Sequence, residues 1–181
     1  MNRALLLDRD GVINEDYGHV FKIEDFVFVS GIFELIKKAS ELNMKIFVIT
    51  NQAGIGRGLY NEDQFLELNK WMCQKFIDAG TPIDKVYFCP THPVFGIGEY
   101  KKIDEFRKPA PGMILQARDE YNLDLQNSIL IGDKPSDIIA GNNANVGMNI
   151  LIADNVNDQL SDYSYKLIGS LDEAIPLLQA A

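Results

Sequence analysis

Cysteine is scarce in this chain, with only Cys73 and Cys89 among 181 residues. Two are too few for a disulfide scaffold and fit a reducing compartment. No apolar run approaches the ~18 residues a membrane-spanning helix needs. Met1-Asn2-Arg3 leads into a short apolar stretch that stops at an aspartate, which reads as neither a signal peptide nor a span. The expectation is a cytoplasmic protein. Low-complexity segments, internal repeats and Pro/Gly/Ser linkers are missing too, so one domain over 1–181 is expected. Basic residues are outnumbered 17 to 26 by acidic ones, a net charge of -9. That balance argues against a nucleic-acid backbone or an anionic membrane as the main partner. An anionic substrate would need a local cluster of positive charge or a bound metal ion.

What the chain does have is alternation. Ala4 to Leu7, Lys45 to Thr50, Val86 to Cys89, Ser128 to Gly132 and Asn149 to Ala153 read as buried strands, with Lys166 to Ile168 a short sixth. Between them, Ile32, Leu35, Ile36, Ala39 and Leu42 keep a helical period, as do Phe65, Leu68, Met72 and Phe76 behind Asn61 as N-cap. Met113 to Tyr121, Ser136 to Asn143 and Leu171 to Leu178 read as further helices. Nearly continuous apolar strands separated by helices imply a parallel sheet covered on both faces, a doubly wound α/β domain. Ligands in such folds bind beyond the carboxyl ends of the strands.

The polar residues that stand out sit at those ends. The first strand runs into Asp8-Arg9-Asp10-Gly11. Two carboxylates so close behind a buried strand are costly without positive charge between them, and a hard cation such as Mg²⁺ supplies it. A solvated turn would also explain the pair; half of a calcium loop fits less well, because Gly11 falls fourth rather than sixth. The second strand ends in Thr50-Asn51-Gln52-Ala53-Gly54, where a hydroxyl and backbone N–H groups can hold phosphate oxygens. Gly54, Gly56 and Gly58 match neither the dinucleotide fingerprint nor the P-loop and read as a plain flexible connection. Arg107-Lys108-Pro109 precedes a helix, and Pro109 and Pro111 restrict where Lys108 can point. Asp133-Lys134-Pro135-Ser136-Asp137 follows the strand ending at Gly132. Asp137 is either a helix-start acid or a group near a metal.

Taken in order, Asp8-Arg9-Asp10-Gly11, Thr50-Asn51, Lys108 and Gly132-Asp133 resemble the haloacid-dehalogenase (HAD) superfamily of phosphohydrolases across nearly the whole chain. Asp8 to Asn14, Thr50 to Ile55, Cys89-Pro90, Arg107-Lys108-Pro109 and Gly132-Asp133-Lys134 are similar to the heptose 1,7-bisphosphate phosphatases and their histidinol-phosphate relatives. The resemblance implies a three-layer, Rossmann-like α/β fold with Asp8 as nucleophile and Asp10 as general acid and base. It implies Mg²⁺ held by Asp8, the backbone carbonyl of Asp10 and Asp133. Thr50 and Lys108 would stabilise the transferring phosphoryl group. Substrate contacts would come from Asp16, Tyr17, Gly18, His19, Asn51, Gln52, Ala53, Arg107 and Lys134, with Arg107 on a second phosphate. The gaps between motifs leave no room for a cap domain, so the fold is expected to be capless.

Relatives of this kind often hold zinc through Cys-x-His and Cys-x-Cys. Here Cys89 alone fits; Thr91, Asp104 and Phe106 stand at the other positions, and His92 is one place off. No structural zinc is expected. The loop from Pro90 to Phe106 is expected to be held by packing of Phe95, Tyr100 and Phe106. The substrate implied is a small phosphorylated sugar, with removal of the C7 phosphate of D-glycero-D-manno-heptose 1,7-bisphosphate by way of an aspartyl-phosphate, in heptose biosynthesis. Histidinol phosphate or another small sugar phosphate is the alternative. A phospho-receiver signalling domain lacks its aspartate here, because the second strand ends in Thr50-Asn51. With no obvious exposed apolar helix face, a monomer is expected.

Overall fold

Ala4, Leu5, Leu6 and Leu7 are wholly buried, as a strand covered on both faces must be, and they form β1 (Ala4–Leu7). The computed structural model describes residues 1–155 and 158–179. After β1 come α1 (Ile32–Glu41), β2 (Lys45–Asn51), α2 (Ala53–Gly56), α3 (Glu62–Asp78) and β3 (Lys85–Cys89). Then follow α4 (Gly112–Tyr121), β4 (Ile129–Gly132), α5 (Pro135–Asn143), β5 (Met148–Ile152), β6 (Lys166–Ile168) and α6 (Leu171–Ala174). The strands form one six-stranded sheet in the order β3-β2-β1-β4-β5-β6, every pair parallel. The chain winds outward from β1 in both directions, so the crevice of a doubly wound sheet opens above β1, between β2 and β4.

Side-chain alternation along β1 divides the core. Leu5 and Leu7 pack with Leu35 and Ile36 of α1 and Leu68 and Met72 of α3. Ala4 and Leu6 face the other way, onto Met113, Ile114 and Ala117 of α4 and Ile138 and Ala140 of α5. The result is three layers, as expected from the sequence. Asn61 caps α3 as read: its Oδ1 accepts from Gln64 N at 2.9 Å, and Gln64 Oε1 accepts from Asn61 N at 3.0 Å. Such a reciprocal cap stabilises a helix by about 1 kcal/mol.

Among the described residues, the stretch between β1 and β2 contains a loop, a 3₁₀ turn at Ile23–Asp25 and α1, with no inserted cap domain. That loop is pinned by Glu15 N to Val27 O and Val29 N to Ile13 O, each 2.9 Å. Behind it lies an aromatic cluster in which Trp71, half-buried on α3, has ring centroids 5.5 Å from Phe26 and 5.8 Å from Phe28.

Two expectations are corrected. The helix read over Leu171 to Leu178 is α6 only to Ala174 and continues as a 3₁₀ turn over Ile175–Gln179, where Pro176 has no N–H to donate to an α-helical ladder. The glycine run read as a flexible connection contains α2, with Gly54, Ile55 and Gly56 buried. Its glycines are there for close packing: a Cβ on Gly54 would lie 2.2 Å from Tyr60 Cε1, and one on Gly56 2.4 Å from Pro90 O. No helix among the described residues is long and apolar enough to cross a membrane.

Candidate active site

Past β1 the chain delivers Asp8, buried at 7 % exposure, with Lys108 reaching it from the loop before α4. Lys108 Nζ lies 2.9 Å from Asp8 Oδ1, 2.5 Å from Asp137 Oδ1 and 2.6 Å from Ile49 O. Lys108 is 3 % exposed, and the three acceptors hold its charge: burial works against the ammonium, but Asp137 and Asp8 outweigh it and raise its pKa. The Lys108 backbone is fixed from β2, since Asn51 Nδ2 donates to Lys108 O and Asn51 Oδ1 accepts from Lys108 N. The peptide Lys108-Pro109 is cis.

Beyond β4, Asp133 and Asp137 complete an acidic cluster, and one oxygen each of Asp8, Asp133 and Asp137 lie within 4.8 Å of one another. Gly11 makes that approach possible. It sits at φ +91°, and a Cβ there would meet Asp133 Oδ2 at 2.2 Å. Burial first, and Asp137 second, push Asp8 up to about 8. Burial, with Asp137 and Asp16, pushes Asp133 up to about 6 against the pull of Lys134. Asp133 Oδ1 is buried and makes no hydrogen bond. An all-oxygen donor set with an unpartnered buried carboxylate oxygen fits a hard divalent cation. Asp137 is also a helix-start acid, accepting from Lys134 N at 3.0 Å, while its other oxygen meets Lys108.

Asp10 faces elsewhere. Its carboxylate accepts from Arg9 Nη2 at 2.7 and 3.0 Å, Asn14 Nδ2 at 3.0 Å and Gln52 Nε2 at 3.0 Å. Arg9 is 1 % exposed and also donates to Val20 O at 2.6 Å. Sequence reasoning passed over Arg9, because an arginine between two acids reads as exposed. The side chain of Asp10 is thus not part of the carboxylate cluster; the metal contact expected of it was through its carbonyl.

A cleft of about 570 Å³ opens above these groups. Asp10, Asp16, Gly18, His19, Asn51, Gln52, Ala53, Arg107, Lys108 and Lys134 line it, all singled out in the sequence. Asp8, Thr50 and Asp133 are not among its lining residues, and neither is Tyr17, which is 66 % exposed. Lys134 Nζ reaches Asp16 Oδ2 at 2.8 Å, joining the loops after β1 and β4. Arg57, Tyr60 and His92 also line the cleft and were missed. Arg57 sits inside the glycine run, and its Nη1 lies 3.0 Å from His19 Nε2. His92 Nδ1 accepts from Val94 N and Phe95 N at 3.1 Å each, which leaves its proton on Nε2. Burial, then Arg107 and Arg57, lower its pKa.

In the loop after β3, Cys89 Sγ lies 3.1 Å from Thr91 Oγ1, which donates to Asp104 Oδ2 at 3.2 Å. Asp104 Oδ1 accepts from Phe106 N, and Arg107 Nη1 donates to Thr91 O at 2.9 Å. Polar bonds hold much of the loop, which corrects part of the expectation of aromatic packing: Phe95 is 61 % and Phe106 37 % exposed, whereas Tyr100 packs against the buried cluster of Ile55, Tyr60 and Phe65. Tyr100 alone is half-buried, its hydroxyl donating to Glu62.

Residues 6–165 match the family model described as polynucleotide kinase 3 phosphatase. The chain is 54 % identical, over 98 % of its length and 94 % of the relative, to the D-glycero-alpha-D-manno-heptose-1,7-bisphosphate 7-phosphatase of Burkholderia mallei. It is 45 % identical, over 82 % of its length and 80 % of the relative, to the D-glycero-beta-D-manno-heptose-1,7-bisphosphate 7-phosphatase of Vibrio cholerae. Among solved structures, a HAD-like phosphatase from Mesorhizobium loti superposes with TM-score 0.88 at 30 % identity, covering 99 % of this chain and 85 % of that one. The D,D-heptose 1,7-bisphosphate phosphatase of B. bronchiseptica, solved with magnesium and phosphate, has the same fold at TM-score 0.79 and 22 % identity, with 99 % of both chains covered.

Proposed function

This chain belongs to the D-glycero-D-manno-heptose-1,7-bisphosphate 7-phosphatases of the HAD superfamily, and we propose that it hydrolyses the C7 phosphate of that sugar bisphosphate in heptose biosynthesis. The observation that carries the reading is the convergence of Asp8, Lys108 and Asp133 at strand ends beneath a cleft edged by Asp10, Arg57 and Arg107. Asp8 attacks phosphorus while Asp10 protonates the leaving sugar oxygen, so one P–O bond forms as another breaks. Asp10, now a carboxylate, takes a proton from the water that attacks the aspartyl-phosphate, releasing phosphate and restoring Asp8. Lys108 and the Thr50 hydroxyl hold the phosphoryl oxygens through both steps. Asp8, Asp133 and the Asp10 carbonyl would hold Mg²⁺, with Asp137 beside them. When bound, Mg²⁺ withdraws charge from the phosphoryl oxygens as a Lewis acid.

The second phosphate suits the basic rim. Arg107, tied to Thr91 O, and Arg57, beside His19, both line the cleft. Of the two anomers we propose the alpha form, supported by the higher identity and fuller coverage of the relative so named. A net charge of -9 favours a small phosphorylated sugar over a polynucleotide. The single six-stranded sheet supports one domain, and we propose a monomeric, cytoplasmic enzyme. The test is Mg²⁺-dependent phosphate release from both heptose 1,7-bisphosphate anomers, fructose 1,6-bisphosphate and histidinol phosphate. The alpha anomer is expected to be turned over fastest. A preference for histidinol phosphate would sink the substrate assignment and leave the mechanism.

Magnesium binding carries a pH signature. In the metal-free protein Asp8 and Asp133 titrate near 8 and 6, above their unfolded values. The folded chain then binds more protons than the unfolded one between about pH 4 and 8, and stability falls as pH rises through that window. Mg²⁺ displaces those protons, so its stabilising effect grows with pH. The expected result is a larger Mg²⁺-induced rise in Tm at about pH 8 than at about pH 5.5. Equal rises at both would contradict the assignment of the cation to this cluster.

A further inference from the structure

Tyr60 is buried at 5 % exposure, yet no step above uses it. Its ring stacks on Phe21 with centroids 5.0 Å apart and planes 9° from parallel, and it lies against the bare Cα of Gly54. Its hydroxyl is 2.5 Å from Gln52 Oε1. Gln52, 2 % exposed, turns its Nε2 to Thr50 Oγ1 at 2.8 Å and to Asp10 Oδ2 at 3.0 Å.

These contacts fix the amide. As a carboxylate, the form it takes once it has protonated the leaving oxygen, Asp10 can only accept, so the amide nitrogen of Gln52 faces it and the amide oxygen faces Tyr60. Tyr60 must then donate, and burial, which pushes its pKa up to about 12, keeps that proton on it. The same amide N–H₂ donates to Thr50, so the Thr50 oxygen is engaged as an acceptor and its own hydrogen turns to another acceptor.

We infer that Tyr60 and Gln52 form a positioning relay that aims the Thr50 proton at the phosphoryl group and holds the Asp10 carboxyl at the leaving oxygen. This rests on the roles of Thr50 and Asp10 proposed above. Without the Tyr60 hydroxyl the amide is held only at its nitrogen end, by Asp10 and Thr50, and its oxygen end is left loose. It can then tilt away from both groups, and Thr50 and Asp10 lose the alignment that it gives them.

Tyr60→Phe keeps the ring, its stack and its burial, and removes one oxygen. Turnover of heptose 1,7-bisphosphate by this variant is expected to fall about tenfold in kcat, with KM unchanged within about twofold. In a Gln52→Met background the same change should have no further effect on kcat, because Tyr60 acts only through the amide. An unchanged kcat in Tyr60→Phe, a loss confined to KM, or an equal loss in the Gln52→Met background would each overturn the relay. Should Tyr60→Phe fail to fold, Gln52→Met alone decides. It must lower kcat by about a hundredfold with KM held, and an unaltered kcat overturns the inference. Wild-type protein that releases no phosphate from this substrate would instead count against the proposed activity, so the two failures are told apart.

Discussion

Asp8→Asn is expected to abolish phosphate release, lowering kcat by at least about four orders of magnitude, equivalent to ~5.5 kcal/mol of barrier. An amide cannot attack phosphorus to form the acyl-phosphate, and no other carboxylate lines up to replace it. The Asp10 side chain is engaged by Arg9, Asn14 and Gln52, and Asp133 stands on a different strand end. The variant should nevertheless fold as well as the parent. Burial pushes the Asp8 carboxyl up to about 8, so near neutral pH the metal-free protein already favours an uncharged group at this position. Asn keeps an oxygen for the Arg9 N–H that now meets Asp8 Oδ1 at 2.8 Å. Thermal melts without metal should therefore give a Tm equal to or above that of the wild type. Residual turnover within about a hundredfold of wild type would remove Asp8 from the nucleophile's role.

Lys108→Met should damage both activity and stability. The Met stem fills much of the same space, but Asp8, Asp137 and the Ile49 carbonyl lose the charge placed among them. Removing one partner of a buried ionic cluster destabilises by about 3–5 kcal/mol, because the carboxylates left behind can be neither solvated nor paired. Measured by urea unfolding without metal, the loss should be largest near pH 8 and shrink as the pH falls and the orphaned carboxyls protonate. Added Mg²⁺ should restore part of the stability and none of the turnover, which needs the lysine on the transferring oxygens. Recovery of activity with the metal would mean that Lys108 serves only to hold the acids together.

The expected architecture was readable because β1, β2 and β4 are apolar runs that each end abruptly in polar residues, a pattern few other folds produce. The direction of Lys108 was half legible: the two prolines after it announce a fixed backbone, but the hydrogen bonds from Asn51 that aim it come from β2. Asp137 could not be assigned because a helix-start acid and an ion-pair acid look alike until Lys108 is in place. Arg9, Arg57, Tyr60 and His92 were hidden for different reasons. Arg57 meets His19 across the fold and Tyr60 is buried against Phe21. Arg9 and His92 are held by near neighbours in the chain, Asp10 and the Val94 and Phe95 amides, in a geometry that spacing alone does not show. The glycines around Arg57 misled outright, since a glycine demanded by a neighbour's ring is indistinguishable in sequence from one that loosens a loop.

The aromatic cluster behind the Asp8 loop gives the protein its own optical probe. Trp71 is the one tryptophan in the chain. Its ring touches Phe26 and Phe28, on the segment that Glu15 and Ile13 bind by backbone hydrogen bonds. Tryptophan emission from the unlabelled protein therefore arises at a single place, against the segment that follows the strap carrying Asp16, Gly18 and His19 into the cleft. Its wavelength and quenching report whether that strap stays seated while substrate comes and goes, with no dye and no engineered residue.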